Sequence, residues 1–237
     1  MSIWGIIIGG TAGFALGGPI GGLLGAVAGH AVEKRLGPSS VDSQATKRVA
    51  FTVTVIALSA KMAKADGIVS RDEIAAFRER VHVPPSELNQ VGKFWDLARQ
   101  TPAGYEDYAK QVAHLFPTKA PILEQLLDLL FHIAKSDGDI TAPEQNYLHS
   151  VARIFGFDAS EFDRLLAINR SSGPSAYEIL GVSADCDNQT VTRRWRELVR
   201  THHPDTLIAN GMPKEFVAAA NDMGRFQTPQ PAPCHQG

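Results

Sequence analysis

His202, His203, Pro204 and Asp205 stand in a row near the end of the sequence, directly after a stretch in which Arg193, Arg196 and Arg200 recur at helical spacing. Two imidazoles beside a carboxylate could bind a metal or move a proton, but either chemistry needs companions. No nucleophile, second ligand pair, P-loop or Rossmann-type glycine turn accompanies them. The row reads instead as a recognition element. Pro204 fixes its own φ and restricts His203 to extended geometry, leaving His203 and Asp205 as directed polar groups. Arg193, Arg196 and Arg200 fall on neighbouring turns of one helix and make a basic face suited to an acidic docking surface on another protein. Arginine also binds phosphate in forked geometry, yet no aromatic stacking platform lies beside this run, so no nucleic-acid partner is expected.

A second chemistry-bearing set is acidic. Ala63-Lys64-Ala65-Asp66-Gly67-Ile68-Val69-Ser70-Arg71-Asp72-Glu73 is echoed by Ala134-Lys135-Ser136-Asp137-Gly138-Asp139-Ile140-Thr141-Ala142-Pro143-Glu144. In each, a helix ends at an Asp-Gly turn and a new one starts at Ser70 or Thr141, with Glu73 or Glu144 at the third position of a capping box and Pro143 in a first turn. The glycine, branched residue and glutamate imitate the second half of an EF-hand loop. Its first half would need carboxylates where Met62, Lys64, Ile133 and Lys135 stand, so calcium is rejected. Asp66, Asp72, Glu73, Asp137, Asp139 and Glu144 are read as an exposed, solvated, helix-capping set, with no metal, cofactor or catalytic residue assigned.

The elements that must position these groups are helical. From 42 to 170 apolar residues recur at helical spacing, as in Val49, Val53, Ile56, Ala57 and Ala60 or Leu123, Leu126, Leu127, Leu130, Phe131 and Ala134, and strand-like alternation is absent. The fold class is all-α, with an internal duplication in the middle. The chain has 237 residues and nearly balanced charge, 23 basic against 25 acidic, which excludes the strong positive field of a general nucleic-acid binder. Its two cysteines, Cys186 and Cys234, form neither a zinc pattern nor a disulfide framework.

The first residues differ in kind from the rest. Thirty residues from Ile3 to Val32 contain no Asp, Glu, Lys or Arg, and about 20 suffice to cross a bilayer as a helix. Gly5, Gly9, Gly13, Gly17, Gly21, Gly25 and Gly29 repeat every fourth residue, a flat helix face that lets a second backbone approach closely, so a homodimer through the membrane is expected. Pro19 kinks the span or divides it into a hairpin. Lys34, Arg35, Lys47 and Arg48 follow closely, which places the bulk of the chain on the cytoplasmic side of the membrane.

The paired Ala-Lys-x-Asp-Gly turns and the all-helical pattern resemble the TerB family, named after tellurite-resistance proteins. Ala176-Tyr177-Glu178-Ile179-Leu180-Gly181-Val182, the charged Arg193-Arg194-Trp195-Arg196-Glu197-Leu198 helix and His203-Pro204-Asp205 resemble a J domain. The three parts in this order look like the DjlA class of membrane-anchored co-chaperones. The resemblance implies a bacterial inner membrane and a DnaK-type chaperone as partner, with Arg193, Arg196 and Arg200 docking on it and His203, Pro204 and Asp205 touching it and stimulating its ATP hydrolysis, and a client or regulatory protein at the TerB-like domain. The chain itself would not be an enzyme.

The expected boundaries are 1–36 for the glycine-zipper anchor, 37–44 and 171–175 for linkers, 45–170 for the TerB-like domain, 176–223 for the J domain and 224–237 for a Pro-rich tail. Trp195, Tyr177, Leu180 and Phe216 are expected in the core. Three positions depart from the J-domain pattern. Arg194 replaces a small residue and should crowd the packing, Thr206 replaces a common lysine, and a third helix starting near Pro213 has only about three turns before the prolines of the tail. A weakened J domain would leave a membrane adaptor or metal-responsive TerB-like binding module as the alternative.

Overall fold

A computed structural model describes residues 43–65, 70–100, 104–170 and 175–216, and everything in those stretches is helix, turn or loop. The helices are α1 (Ser43–Met62), α2 (Arg71–Arg80), α3 (Leu88–Ala98), α4 (Tyr105–Leu115), α5 (Pro121–Ala134), α6 (Ala142–Phe155), α7 (Ala159–Arg170), α8 (Ala176–Leu180), α9 (Asn188–Thr201) and α10 (Pro204–Ala209), with short 3-10 turns at Pro85–Glu87 and Lys214–Phe216. The glycine face from Gly5 to Gly29 lies outside the described residues, as do Asp66 and the tail. Within the described residues no helix is long and apolar enough to cross a membrane.

α1 is the central post. From Phe51 to Ala63 every residue is buried, the signature of a helix covered all round rather than on one stripe. Of the polar members of that run, Thr52 finds a local solution, its hydroxyl donating to the Arg48 carbonyl at 2.9 Å, whereas the buried Ser59 hydroxyl has no such bond among the described residues. α3, α4 and α5 pack around α1, α2 packs on α5, and α6 packs on both α4 and α5. Tyr147 of α6 donates its hydroxyl to the Leu58 carbonyl at 2.9 Å in full burial, tying two helices 89 residues apart.

The capping boxes form at both turns. Ser70 receives the Glu73 N–H and returns its own N–H to the Glu73 carboxylate, and Thr141 and Glu144 do the same. Pro143 sits in the first turn of α6 and Ile140 is buried beside it. The expectation of a solvated acidic set fails at two positions, because Glu73 and Glu144 are only 2% and 3% exposed. Each carboxylate folds back over its own helix start, and the neighbouring helices close over it. Asp72, Asp137 and Asp139 remain exposed.

The last described residues pack onto the rest of the chain. Leu207, Met212 and Phe216 belong to the same contiguous apolar cluster as Phe51, Leu123 and Phe131. Phe51 sits between two edge-on rings, Phe116 at 6.3 Å and Phe216 at 5.4 Å between centroids. Leu180 is buried and Trp195 half-buried, whereas Tyr177, expected in the core, is 38% exposed. α8 is five residues long and turns that ring outward.

Candidate functional site

Asp187 caps α9 by accepting the Thr190 N–H at 2.6 Å. These backbone hydrogen bonds hold the exposed Asp187 carboxyl below its ordinary value. From that start the helix turns Leu198 into the interior and leaves Val191 and Trp195 half-buried, while Arg193, Arg196 and Arg200 point to solvent. The three arginines therefore share an open face, edged by Asn188, Gln189, Thr192 and Glu197. Arg194 was expected to crowd this region. Its guanidinium lies along the surface, where Nε donates to the Leu180 carbonyl at 3.1 Å and Nη1 pairs with Glu197 at 2.9 Å, and most of the expected third helix, against which the crowding was expected, falls outside the described residues. The long side chain staples the end of α8 to α9.

His202 ends α9 and is buried, 5% exposed. The next residue reverses direction: His203 has φ −59° and ψ 134°, the extended geometry that Pro204 imposes on its predecessor. The expected His-Pro-Asp loop is thus the first turn of a short helix. His203 is its N-cap, its Nδ1 accepting the Asp205 N–H at 3.2 Å, with Pro204 at the first helical position and Asp205 in the first turn. The His203 and Asp205 side chains are 53% and 88% exposed. Thr206 donates its hydroxyl to the Arg200 carbonyl at 3.1 Å, a local tie that a lysine there would not make.

The presented tripeptide has an anchor on each side. Upstream, His202 Nε2 lies 3.3 Å from Glu124 Oε2 of α5. Downstream, Leu207 is fully buried and Met212 folds back on it through a Met212 N–H to Leu207 carbonyl bond of 2.9 Å. Gly211, at φ 110°, permits that return, a helix end of the Schellman type. Glu124 also faces Arg164 of α7 at 3.9 Å. Burial raises the Glu124 carboxyl, but the His202 hydrogen bond and charge, with Arg164 and Arg194, outweigh it and hold the group below its ordinary value. No spacing rule could have found Glu124, which lies 78 residues before its partner.

The acidic set gathers differently. Burial raises the Glu73 carboxyl to about 7, opposed by the Ser70 hydrogen bonds and reinforced by Asp137 and Glu144. The two turns therefore face each other closely enough for their carboxylates to repel. Among the described residues no group of three or more His, Cys, Asp or Glu is arranged to hold a metal ion.

Two protein families match the N-terminal segment and the helical middle of the chain. Residues 52–167 match the family described as tellurite resistance protein TerB, and residues 1–48 match the co-chaperone DjlA transmembrane domain. The chain is DjlA-like. Co-chaperone protein DjlA of Photobacterium profundum is 28% identical over 92% of this chain and 93% of its own length. The Vibrio parahaemolyticus protein of that name is 29% identical over 76% and 75%, and the Pasteurella multocida one 27% identical over 94% and 93%. No solved structure matches the chain. The N-terminal match supports a membrane anchor in the first 48 residues, the segment in which the seven spaced glycines lie.

Proposed function

We propose that the chain is a membrane-anchored J-domain co-chaperone of a DnaK-type chaperone, with residues 176–223 as the J domain. The observation that carries the reading is the exposed His203-Pro204-Asp205 turn directly after a helix whose open face holds Arg193, Arg196 and Arg200, in a chain whose relatives are named DjlA co-chaperones. The arginine face steers and seats an acidic surface of the partner. The tripeptide then presents its imidazole and carboxylate from a backbone that Pro204 has already stiffened, so little ordering remains to be done on binding. ATP hydrolysis belongs to the partner, and this chain is not an enzyme.

The remaining parts follow the same reading. The glycine face from Gly5 to Gly29 pairs two copies in the membrane, the basic residues after it keep the bulk of the chain in the cytoplasm, and the duplicated TerB-like domain of 45–170 recruits a client or regulatory protein. The adaptor alternative rests on a shortened third helix, whose residues after Phe216 lie outside the described residues. Within the described residues, the Arg194 staple and the buried Leu207, Met212 and Phe216 favour a folded J domain over that alternative.

The test is single-turnover ATP hydrolysis by a DnaK-type chaperone with the full chain in detergent micelles, and His203→Gln as control. Stimulation that disappears in the variant supports the reading. A folded wild-type chain without effect refutes it.

A further inference from the structure

We infer that Glu124 of α5 is a positioning residue for the His203-Pro204-Asp205 turn, acting through His202. This rests on the co-chaperone reading and adds to it a role for the helical body, which serves as the wall against which the partner-facing turn is set.

The geometry is specific. A carboxylate only accepts hydrogen bonds, so the His202 Nε2 facing Glu124 at 3.3 Å carries a proton. The other ring nitrogen lies 3.2 Å from the Leu198 carbonyl and 3.0 Å from the Thr201 hydroxyl. The ring is thus fixed at both ends, between the last turn of α9 and a side chain from a helix far away in sequence. Arg164 holds the opposite oxygen of Glu124 at 3.9 Å and passes beside Gly181 at the end of α8, so the carboxylate ties α5, α7 and the C-terminal helices at one point.

His202 is adjacent to His203, and its ring is buried while that of His203 is exposed. The peptide between them is therefore the hinge at which the chain leaves the body. With His202 held at this end and Leu207 fully buried at the other, the exposed residues span a fixed gap. Loss of the Glu124 contact frees one end while leaving the outward arginine face in place, since none of Arg193, Arg196 and Arg200 lies on the buried side of α9. Binding and triggering should then separate.

The experiment uses the full chain in detergent micelles and the variants Glu124→Gln and Glu124→Ala, read by stimulated ATP hydrolysis against chain concentration and by hydrogen exchange. Loss of a charge-assisted contact to the turn should lower the plateau of stimulation roughly fivefold in Glu124→Ala, with the half-saturating concentration unchanged. Glu124→Gln, which retains an acceptor oxygen, should fall between it and wild type. A variant that merely unfolds in part would raise the half-saturating concentration and keep the plateau, and that result overturns the inference. In hydrogen exchange, amides of 203–207 should exchange faster in Glu124→Ala while those of α9 before Leu198 do not. Uniform change, or none, also overturns it. A wild-type chain that fails to stimulate sinks the co-chaperone reading alone, and exchange at 203–207 then decides whether Glu124 sets the turn.

Discussion

Replacement of Glu73 by glutamine should stabilise the protein above neutral pH and leave it unchanged in acid. Glu73 is nearly fully buried, faces Asp137 and Glu144, and has its carboxyl raised from 4.5 to about 7. The folded chain thus holds this proton more tightly than the unfolded one. Its favourable contribution is complete below pH 4.5 and is lost as pH climbs through 7, where the native state must carry a buried negative charge. At 1.36 kcal/mol per unit the shift amounts to about 3 kcal/mol at full ionisation. Glutamine keeps an acceptor for the Ser70 N–H, now 2.7 Å from the carboxylate, so the capping box survives and only the charge goes. The assay is thermal unfolding of wild type and Glu73→Gln, followed by circular dichroism on the full chain in micelles from pH 4 to 9. A gap of roughly 10 °C opening between pH 5 and 8 is expected from the usual stability increment of a chain this size. A difference that is constant across that range would refute the reasoning, because it would locate the effect in packing or capping rather than in the proton.

Other perturbations have equally definite outcomes. Phe216→Ala should cost about 3–4 kcal/mol, measured by urea unfolding, since its ring closes over Phe51. Gly156→Ala should destabilise by about 1–3 kcal/mol, because Gly156 sits at φ 91° and an added methyl would meet the Thr118 side chain; a melting point equal to wild type would contradict this. Arg194→Ala should speed exchange at Ile179 and Leu180 while moving global stability by less than about 1 kcal/mol, as its bonds lie near the surface.

What could be read from the sequence was local. Ser70 with Glu73, Thr141 with Glu144 and Asp187 before α9 were legible because a cap involves residues three apart, and the structure forms all three. The basic face of α9 was legible for the same reason. Misreadings arose wherever the answer depended on distant chain. Glu73 and Glu144 look like surface acids until other helices cover them, and the Arg194 bond to the Leu180 carbonyl joins residues fourteen apart. The His-Pro-Asp row looked like a loop because proline usually interrupts helices, although at a first helical position it starts one. Glu124 carried no signal at all: a lone glutamate in an apolar helix acquires meaning only from His202.

The ring of Phe216 against Phe51 also sets an order of events at the ribosome. Phe51 emerges early and Phe216 follows 165 residues later, which at 5–20 residues per second is a delay of roughly 10–30 s. For that interval α1 is complete but one side of its Phe51 ring lacks its final cover. A nascent chain of this protein therefore carries an open apolar seat until its last segment arrives, and a ribosome stalled before residue 216 would display a sticky body that the finished chain conceals.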